Sequence, residues 1–216
     1  MAVAATIAHV SGLLIVEDDA RLCCVLSRAV ASMGLGGAQV RCATTAVEAD
    51  TLLSAHDDWA GFLVDVHLDI SKSADGLELA GRARAKHSAA PVFVLTADSA
   101  ASVTNAVAAL PGATLLRKPL PSHDALATIL APIAAHARVV DRRARVESWA
   151  HRHGLTRSER LAVLSIALGQ SRAAYCAEHA ISESTFRTHI QNTLDKLTLR
   201  GARELREVLA RVAAGE

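Results

Sequence analysis

Four apolar runs in this 216-residue chain each end on a residue that could do chemistry. Gly61-Phe-Leu-Val64 closes on Asp65. Leu13-Leu-Ile-Val16 leads into Glu17-Asp18-Asp19, Val92-Phe-Val-Leu95 into Thr96, and Ala113-Thr-Leu-Leu116 through Arg117 into Lys118-Pro119. If the runs are parallel strands, their C-terminal ends share one edge of a sheet, where open α/β sheets bind ligands. Three carboxylates (Glu17, Asp18, Asp65) at one point repel one another unless a cation neutralises them. A hard divalent ion such as Mg2+ takes carboxylate, phosphate and water oxygens. The Lys118 ammonium could hold a phosphoryl oxygen and the Thr96 hydroxyl another. A carboxylate in such a crevice can attack phosphorus and form an aspartyl phosphate, a transfer that needs mainly positioning and charge neutralisation.

The residues between these runs predict the elements that hold them. Helical spacing and breakers place helices over Asp19–Met33, Thr45–Ser54 with Thr44 or Thr45 as cap, and Leu77–Lys86. Two more follow over Ser99–Leu110, capped by Asp98 or Ser99, and His123–Ala135, with Pro132 kinking or ending the last. Strands are expected at Leu13–Val16, Gln39–Ala43, Gly61–Val64, Pro91–Leu95 and Ala113–Leu116. Strand and helix alternate five times, which predicts an α/β doubly wound five-stranded parallel sheet over 1–135.

Residues 12–120 resemble the receiver domain of bacterial response regulators, a flavodoxin-like fold. Leu-Ile-Val-Glu17-Asp18, Asp65, Thr96-Ala97 and Lys118-Pro119 carry the resemblance, each at the end of the expected strand. It implies that Asp65 accepts a phosphoryl group from a sensor histidine kinase. It also implies that Glu17, Asp18, Asp65 and the backbone carbonyl of His67 bind Mg2+, and that Thr96, Ala97 and Lys118 meet the phosphoryl group and carry the switch. Two positions depart from the pattern. Asp75-Gly76 follows Asp65 at a longer distance than usual, with Asp69 where a proline is expected, and Leu115 replaces an aromatic residue three positions before Lys118. His67 and Asp98 flank the site as polar loop residues that tune dephosphorylation at most.

Charge divides the chain. Residues 1–135 carry nine Lys/Arg and thirteen Asp/Glu, and residues 136–216 fourteen and nine, although the whole is only +1. A basic second part fits a polyanionic partner. Residues 136–153 read as a helical linker of mixed charge, or as the last helix of the first part running into a connector. In 154–216, Thr156 and Glu159 form a capping-box pattern, Gly169 ends that helix, and Ser171–His179 is a short helix. After an Ala180-Ile181 turn, Ser182 or Ser184 caps a helix to about Leu197, and Ala202–Val212 closes the bundle. In the third of these helices Phe186, Ile190, Leu194 and Leu197 share one stripe; Arg187, Thr188, Gln191, Asn192 and Asp195 share the other. Arg suits guanine edges, and Gln or Asn suits adenine.

This region resembles the LuxR-type helix-turn-helix domain, through Leu-Thr-Arg-Ser-Glu159, Ile181-Ser-Glu-Ser-Thr-Phe-Arg-Thr-His189 and Lys196-Leu197. The resemblance implies an all-α DNA-binding domain. Base contacts would come from Arg187, Thr188 and Gln191, with Asn192 on the same face, and phosphate contacts from Thr185, His189 and Lys196. The preceding helix departs from the family: Ala173 stands for a lysine and His179 for a core leucine.

The expectation is a response regulator of a two-component system, not an enzyme. Phosphorylation at Asp65 would drive it to dimerise and bind double-stranded DNA. Two other classes fit the same residues: a phospho-dependent module whose helical end binds a protein, and a metal-dependent phosphohydrolase using Asp65. Cys23, Cys24, Cys42 and Cys176 lack metal-ligand spacing and read as small buried residues of a reducing compartment. The apolar start Met1–Val10 lacks a basic n-region, and no apolar stretch reaches the ~20 residues of a membrane span, so a cytoplasmic protein without membrane contact is expected.

Overall fold

A computed structural model describes residues 12–32, 39–68 and 75–216. The chain divides into two compact units, with the boundary between Val140 and Asp141.

The first unit alternates strand and helix: β1 Gly12–Val16, α1 Ala20–Ser32, β2 Gln39–Ala43, α2 Ala46–Ala55, β3 Trp59–Asp65, α3 Asp75–Lys86, β4 Val92–Thr96, α4 Ala101–Ala108 and β5 Ala113–Arg117. Helix α5, His123–Arg152, then crosses the boundary between the units. All strand pairs are parallel, in the order β2-β1-β3-β4-β5. The three central strands are buried along their whole length, because helices cover both faces. Alternate residues serve opposite layers. Leu14, Val16, Phe62, Val64, Val92 and Val94 pack with α2, α3 and α4. Leu13, Ile15, Leu63, Phe93 and Leu95 pack with α1 and α5. Each fully buried aliphatic side chain contributes on the order of 1.5–3 kcal/mol.

Thr45 is the cap of α2, its hydroxyl accepting from the Glu48 N–H. Helix α4 starts later than expected, with Ala100 at the cap position, and the Asp98 carboxylate accepts from the Ala100 N–H at 2.8 Å. The expected end of α1 at Met33 lies outside the described residues, as do Met1–Val10 and Asp69.

Pro132 neither ends nor delimits the fifth helix. α5 runs through it for 30 residues. A proline removes one helical N–H donor and leaves the carbonyl four residues earlier without its helical partner. Here Pro132 and Thr128 both lie on the exposed side, where water can take that carbonyl, while Leu130, Ile133 and Ala137 are buried on the other side. Of the two readings of 136–153, the structure has the last helix of the first unit running on through this stretch as far as Arg152. Ala137 belongs to the first core, and Val146, Trp149 and Ala150 to the second.

The second unit adds α6 Arg157–Ala167, α7 Arg172–Glu178, α8 Glu183–Lys196 and α9 Ala202–Ala214. Both halves of the Thr156/Glu159 capping box are formed. Ser171 and Ser182 cap α7 and α8. Between these helices Ala180 takes φ 50°, a left-handed conformation that a glycine would adopt more easily. Phe186, Ile190 and Leu194 face a core with Tyr175, Leu205 and Leu209.

The cysteines divide. Cys23 and Cys176 are buried, but Cys24 and Cys42 are exposed, contrary to the expectation for all four. Cys24 takes an exposed position of α1, and Cys42 lies on the edge strand β2 with its Sγ 3.0 Å from Ser27 Oγ. Among the described residues, no helix is long and apolar enough to cross a membrane.

Candidate functional site

The strand order reverses its winding between β1 and β3, so the residues after these strands meet at one crevice. Val16 pairs with Val64, which sets Glu17 beside Asp65. Glu17 is 1 % exposed and Asp65 6 %, whereas Asp18 is exposed. One carboxylate oxygen from each of Glu17, Asp18 and Asp65 falls within a mutual 4.8 Å.

The ammonium of Lys118 lies between the two buried acids. Its Nζ donates to Glu17 Oε1 at 3.0 Å and Oε2 at 2.7 Å, and to Asp65 Oδ2 at 3.0 Å. Burial pushes the Glu17 carboxyl above its ordinary range; the Lys118 hydrogen bond opposes this and the Asp65 charge adds to it. Burial lowers the Lys118 pKa, but its hydrogen bonds to Glu17 and Asp65 outweigh that and hold the ammonium above its usual range. The site at rest is a compensated cluster, with one cation among three acids.

Gly76 fixes the rear of the crevice. Its N–H donates to the Val66 carbonyl at 3.2 Å, and a Cβ there would collide with the backbone oxygen of Asp65. Only glycine lets α3 begin this close to the end of β3. The Asp75-Gly76 pair in the sequence was its signal, although the long spacing from Asp65 obscured it.

Thr96 is 1 % exposed, at the end of β4, and its carbonyl accepts from the Lys118 N–H at 2.7 Å. Its hydroxyl accepts from the Asp98 N–H at 2.9 Å. Ala97 is exposed. His67 follows β3, and its Nε2 lies 3.7 Å from Asp98 Oδ2. Asp98, read from the sequence as a polar loop residue and a candidate cap of the following helix, thus connects Thr96, the start of α4 and the His67 ring. Leu115 is half-buried against the core, so no aromatic ring occupies that place on β5.

In the second unit the expected recognition residues divide by environment. Arg187, Thr188, Gln191 and Asn192 are exposed on α8, and Thr185 and His189 are half-buried. Several have partners within the unit. Arg187 lies 3.7 Å from Glu183, Thr188 donates to the Ser184 carbonyl, and Gln191 donates to Asp195 at 2.9 Å. The Thr185 hydroxyl lies 2.8 Å from that of Ser182.

Lys196 donates to the buried carboxylate of Glu159 at 2.7 Å, and the same Glu159 oxygen accepts from the Thr156 N–H at 2.7 Å. Burial raises the Glu159 pKa, but the bonds from Lys196 and Thr156 outweigh it and hold the carboxyl below its usual range. This lysine anchors α8 to the start of α6. The capping box was legible in the sequence; its third member, 37 residues from Glu159, was not.

No protein-family profile matches the sequence, and no curated protein does. Solved structures do match. The signal receiver domain of a DNA binding response regulator protein from Colwellia psychrerythraea 34H superposes with a TM-score of 0.51 at 19% identity, covering 58% of this chain and 98% of that one. Full-length FixJ from B. japonicum matches at 22% identity over 95% of this chain and 98% of that one, with a TM-score of 0.48. The first unit has the receiver fold, and the second is an all-helical bundle.

Proposed function

We propose that this chain is a response regulator of a two-component system. Its first unit accepts a phosphoryl group on Asp65, and its second reads double-stranded DNA to regulate transcription. The observation that carries the reading is the compensated cluster of Glu17, Asp18, Asp65 and Lys118 at the switch point of a receiver-fold sheet. A sensor histidine kinase would be the donor. An Asp65 carboxylate oxygen attacks phosphorus of a phosphohistidine, the P–N bond breaks as the O–P bond forms, and the imidazole nitrogen takes a proton. Asp65 is the acceptor in this reading rather than Glu17, which receives two of the three Lys118 contacts.

Three clustered carboxylate oxygens are a donor set suited to a hard cation. Glu17, Asp18, Asp65 and the His67 carbonyl would hold Mg2+, which when bound offsets the charge of the acids and of incoming phosphoryl oxygens. Lys118 would turn from Asp65 to a phosphoryl oxygen. The Thr96 hydroxyl now only accepts from Asp98, so its proton is free to donate. Drawing it toward a phosphoryl oxygen would loosen the Asp98 bond and so shift the start of α4, whose Ala100 N–H the Asp98 carboxylate accepts from. That change would bias a pre-existing equilibrium toward a homodimer. The chain would act as a stoichiometric switch and not as an enzyme.

In the second unit α7, the Ala180 turn and α8 form the helix-turn-helix of this reading, with Arg187, Thr188, Gln191 and Asn192 toward base edges. Thr185 and His189 would meet phosphates, with Lys196 contributing a remaining donor beside its bond to Glu159. A second reading has its own support: Glu183 and Asp195 already occupy Arg187 and Gln191, which suits a protein partner better than a polyanion.

Two measurements test the proposal. A small phosphoryl donor with Mg2+ should add one phosphoryl group by intact mass, and Asp65→Asn should abolish it; persistent labelling of the variant would overturn the site. Selection from a random duplex pool, with and without an aspartyl-phosphate mimic, should enrich a two-half-site motif more strongly with the mimic. Folded protein that enriches nothing at low salt would leave the protein-partner reading.

A further inference from the structure

The second unit carries a cleft of about 800 Å³ alongside α8, bounded by the end of α6, the start of α7 and the start of α9. Its floor is apolar. Phe186, Ile190 and Leu194 show through there at 7 %, 9 % and 8 % exposure, where the deeper core residues Leu205 and Leu209 show 0 % and 1 %. Its rim is cationic: Arg172, Arg187, Arg200 and Arg206 line it, and no acid does. These arginines are not equivalent. Glu183 lies 3.1 Å from Arg172 and 3.7 Å from Arg187 and partly neutralises that end. Arg200 and Arg206 make no ion pair among the described residues. The uncompensated charge therefore lies at the α9 end.

A phosphodiester backbone would use the arginines but has no apolar part to cover the floor. A neutral apolar molecule would cover the floor and leave the guanidinium pair without a role. An organic anion with an acyl body uses both: the chain lies on Phe186, Ile190 and Leu194, and the carboxylate takes the planar donors of Arg200 or Arg206. The cleft falls within the ~300–1,000 Å³ of small-molecule sites.

We infer that this cleft binds an amphiphilic carboxylate, with its head at Arg200 and Arg206 and its apolar body along α8. Because Arg187 and Gln191 line the same cleft, the occupant and DNA compete for them. That coupling rests on the DNA reading proposed above; the ligand site does not.

The test is titration calorimetry on the full chain with three probes: decanoate below its micellar concentration, decanol and butyrate. Decanoate should bind about tenfold or more tightly than decanol, and butyrate not measurably. The double substitution R200E/R206E should weaken decanoate by about tenfold or more while leaving the thermal transition in place. R203E should not, because Arg203 is on α9 but outside the cleft and is paired with Glu207 at 3.1 Å. Equal affinity for decanol, equal loss in R203E, or no decanoate binding by folded protein would each overturn the site. If R200E/R206E proves unfolded, R200Q/R206Q is read in its place with the same outcomes. Failure of the DNA selection alone would leave these results standing.

Discussion

Replacing Lys118 with Met removes the one cation from the cluster of three acids and leaves its aliphatic length. Three contacts are lost, two to Glu17 and one to Asp65. Breaking a buried ion pair by removing one partner costs ~3–5 kcal/mol. Lys118 is 18 % exposed, so water takes up part of the charge, and the expected loss is about 2–4 kcal/mol at about pH 8. Its pH dependence is the sharper signature. Glu17 already binds its proton more tightly in the fold than unfolded, so stability declines as pH rises from the ordinary glutamate value through the raised one and is level above it. Without Lys118 the Glu17 pKa rises further and the declining window widens. Lys118 is itself raised, so its own contribution is complete throughout the acid and neutral range. Protonating Glu17 relieves the variant by ~1.4 kcal/mol per pH unit within the widened window, so the loss should shrink as pH falls through it. Native-state hydrogen exchange read by mass spectrometry on peptides of β1 and β3 measures this, with α6 and α9 peptides as unaffected controls. A loss independent of pH, or below about 1 kcal/mol at the alkaline end, would refute the assignment of Lys118 as counterion to Glu17.

Gly76→Ala should destabilise the first unit by about 3 kcal/mol, because the new methyl collides with a backbone carbonyl that has no rotamer to escape into; an unchanged urea midpoint would contradict that packing. Glu159→Gln should cost the second unit about 1–2 kcal/mol at neutral pH through the cap and the Lys196 bond. Because its folded pKa is lowered, Glu159 stabilises above the ordinary glutamate value and loses that effect as pH falls through the folded value. The variant and parent should therefore converge in acid melts followed by circular dichroism. Arg187→Ala should weaken DNA binding by about 1–3 kcal/mol and relax preference at one base pair, with gel-shift competition as the assay. An undiminished profile would remove Arg187 from readout.

The runs at β1, β3 and β4 were legible because both faces of each strand are buried, so their sequences are continuously apolar, and the acids that end them stand out. Glu17, Asp65 and Thr96 could be placed at one sheet edge for that reason, whereas Lys118 follows the partly buried β5. What sequence spacing does not contain is partner choice across folded distance. Nothing local ties Lys118 to Glu17, 101 residues away, or Lys196 to Glu159. The alternative that Pro132 ends its helix failed because local propensity weighs the missing donor and not the burial of Leu130, Ile133 and Ala137 on the far side of the same helix. The exposed Cys24 and Cys42 were misread by residue type alone.

The two tryptophans of this aromatic-poor chain fall one to each unit. Trp59 is 1 % exposed, its indole N–H donates to the His56 carbonyl at 3.0 Å, and it packs against Phe62. Trp149 is 8 % exposed, and its ring lies 4.6 Å from that of His153. One emitter is buried beside a sheet with the His56 ring edge-on to it, and the other lies tilted against the His153 ring. The molecule thus carries its own two-channel optical label. Single-tryptophan variants would follow the opening of either unit in real time, during phosphoryl transfer or ligand uptake, with no dye attached.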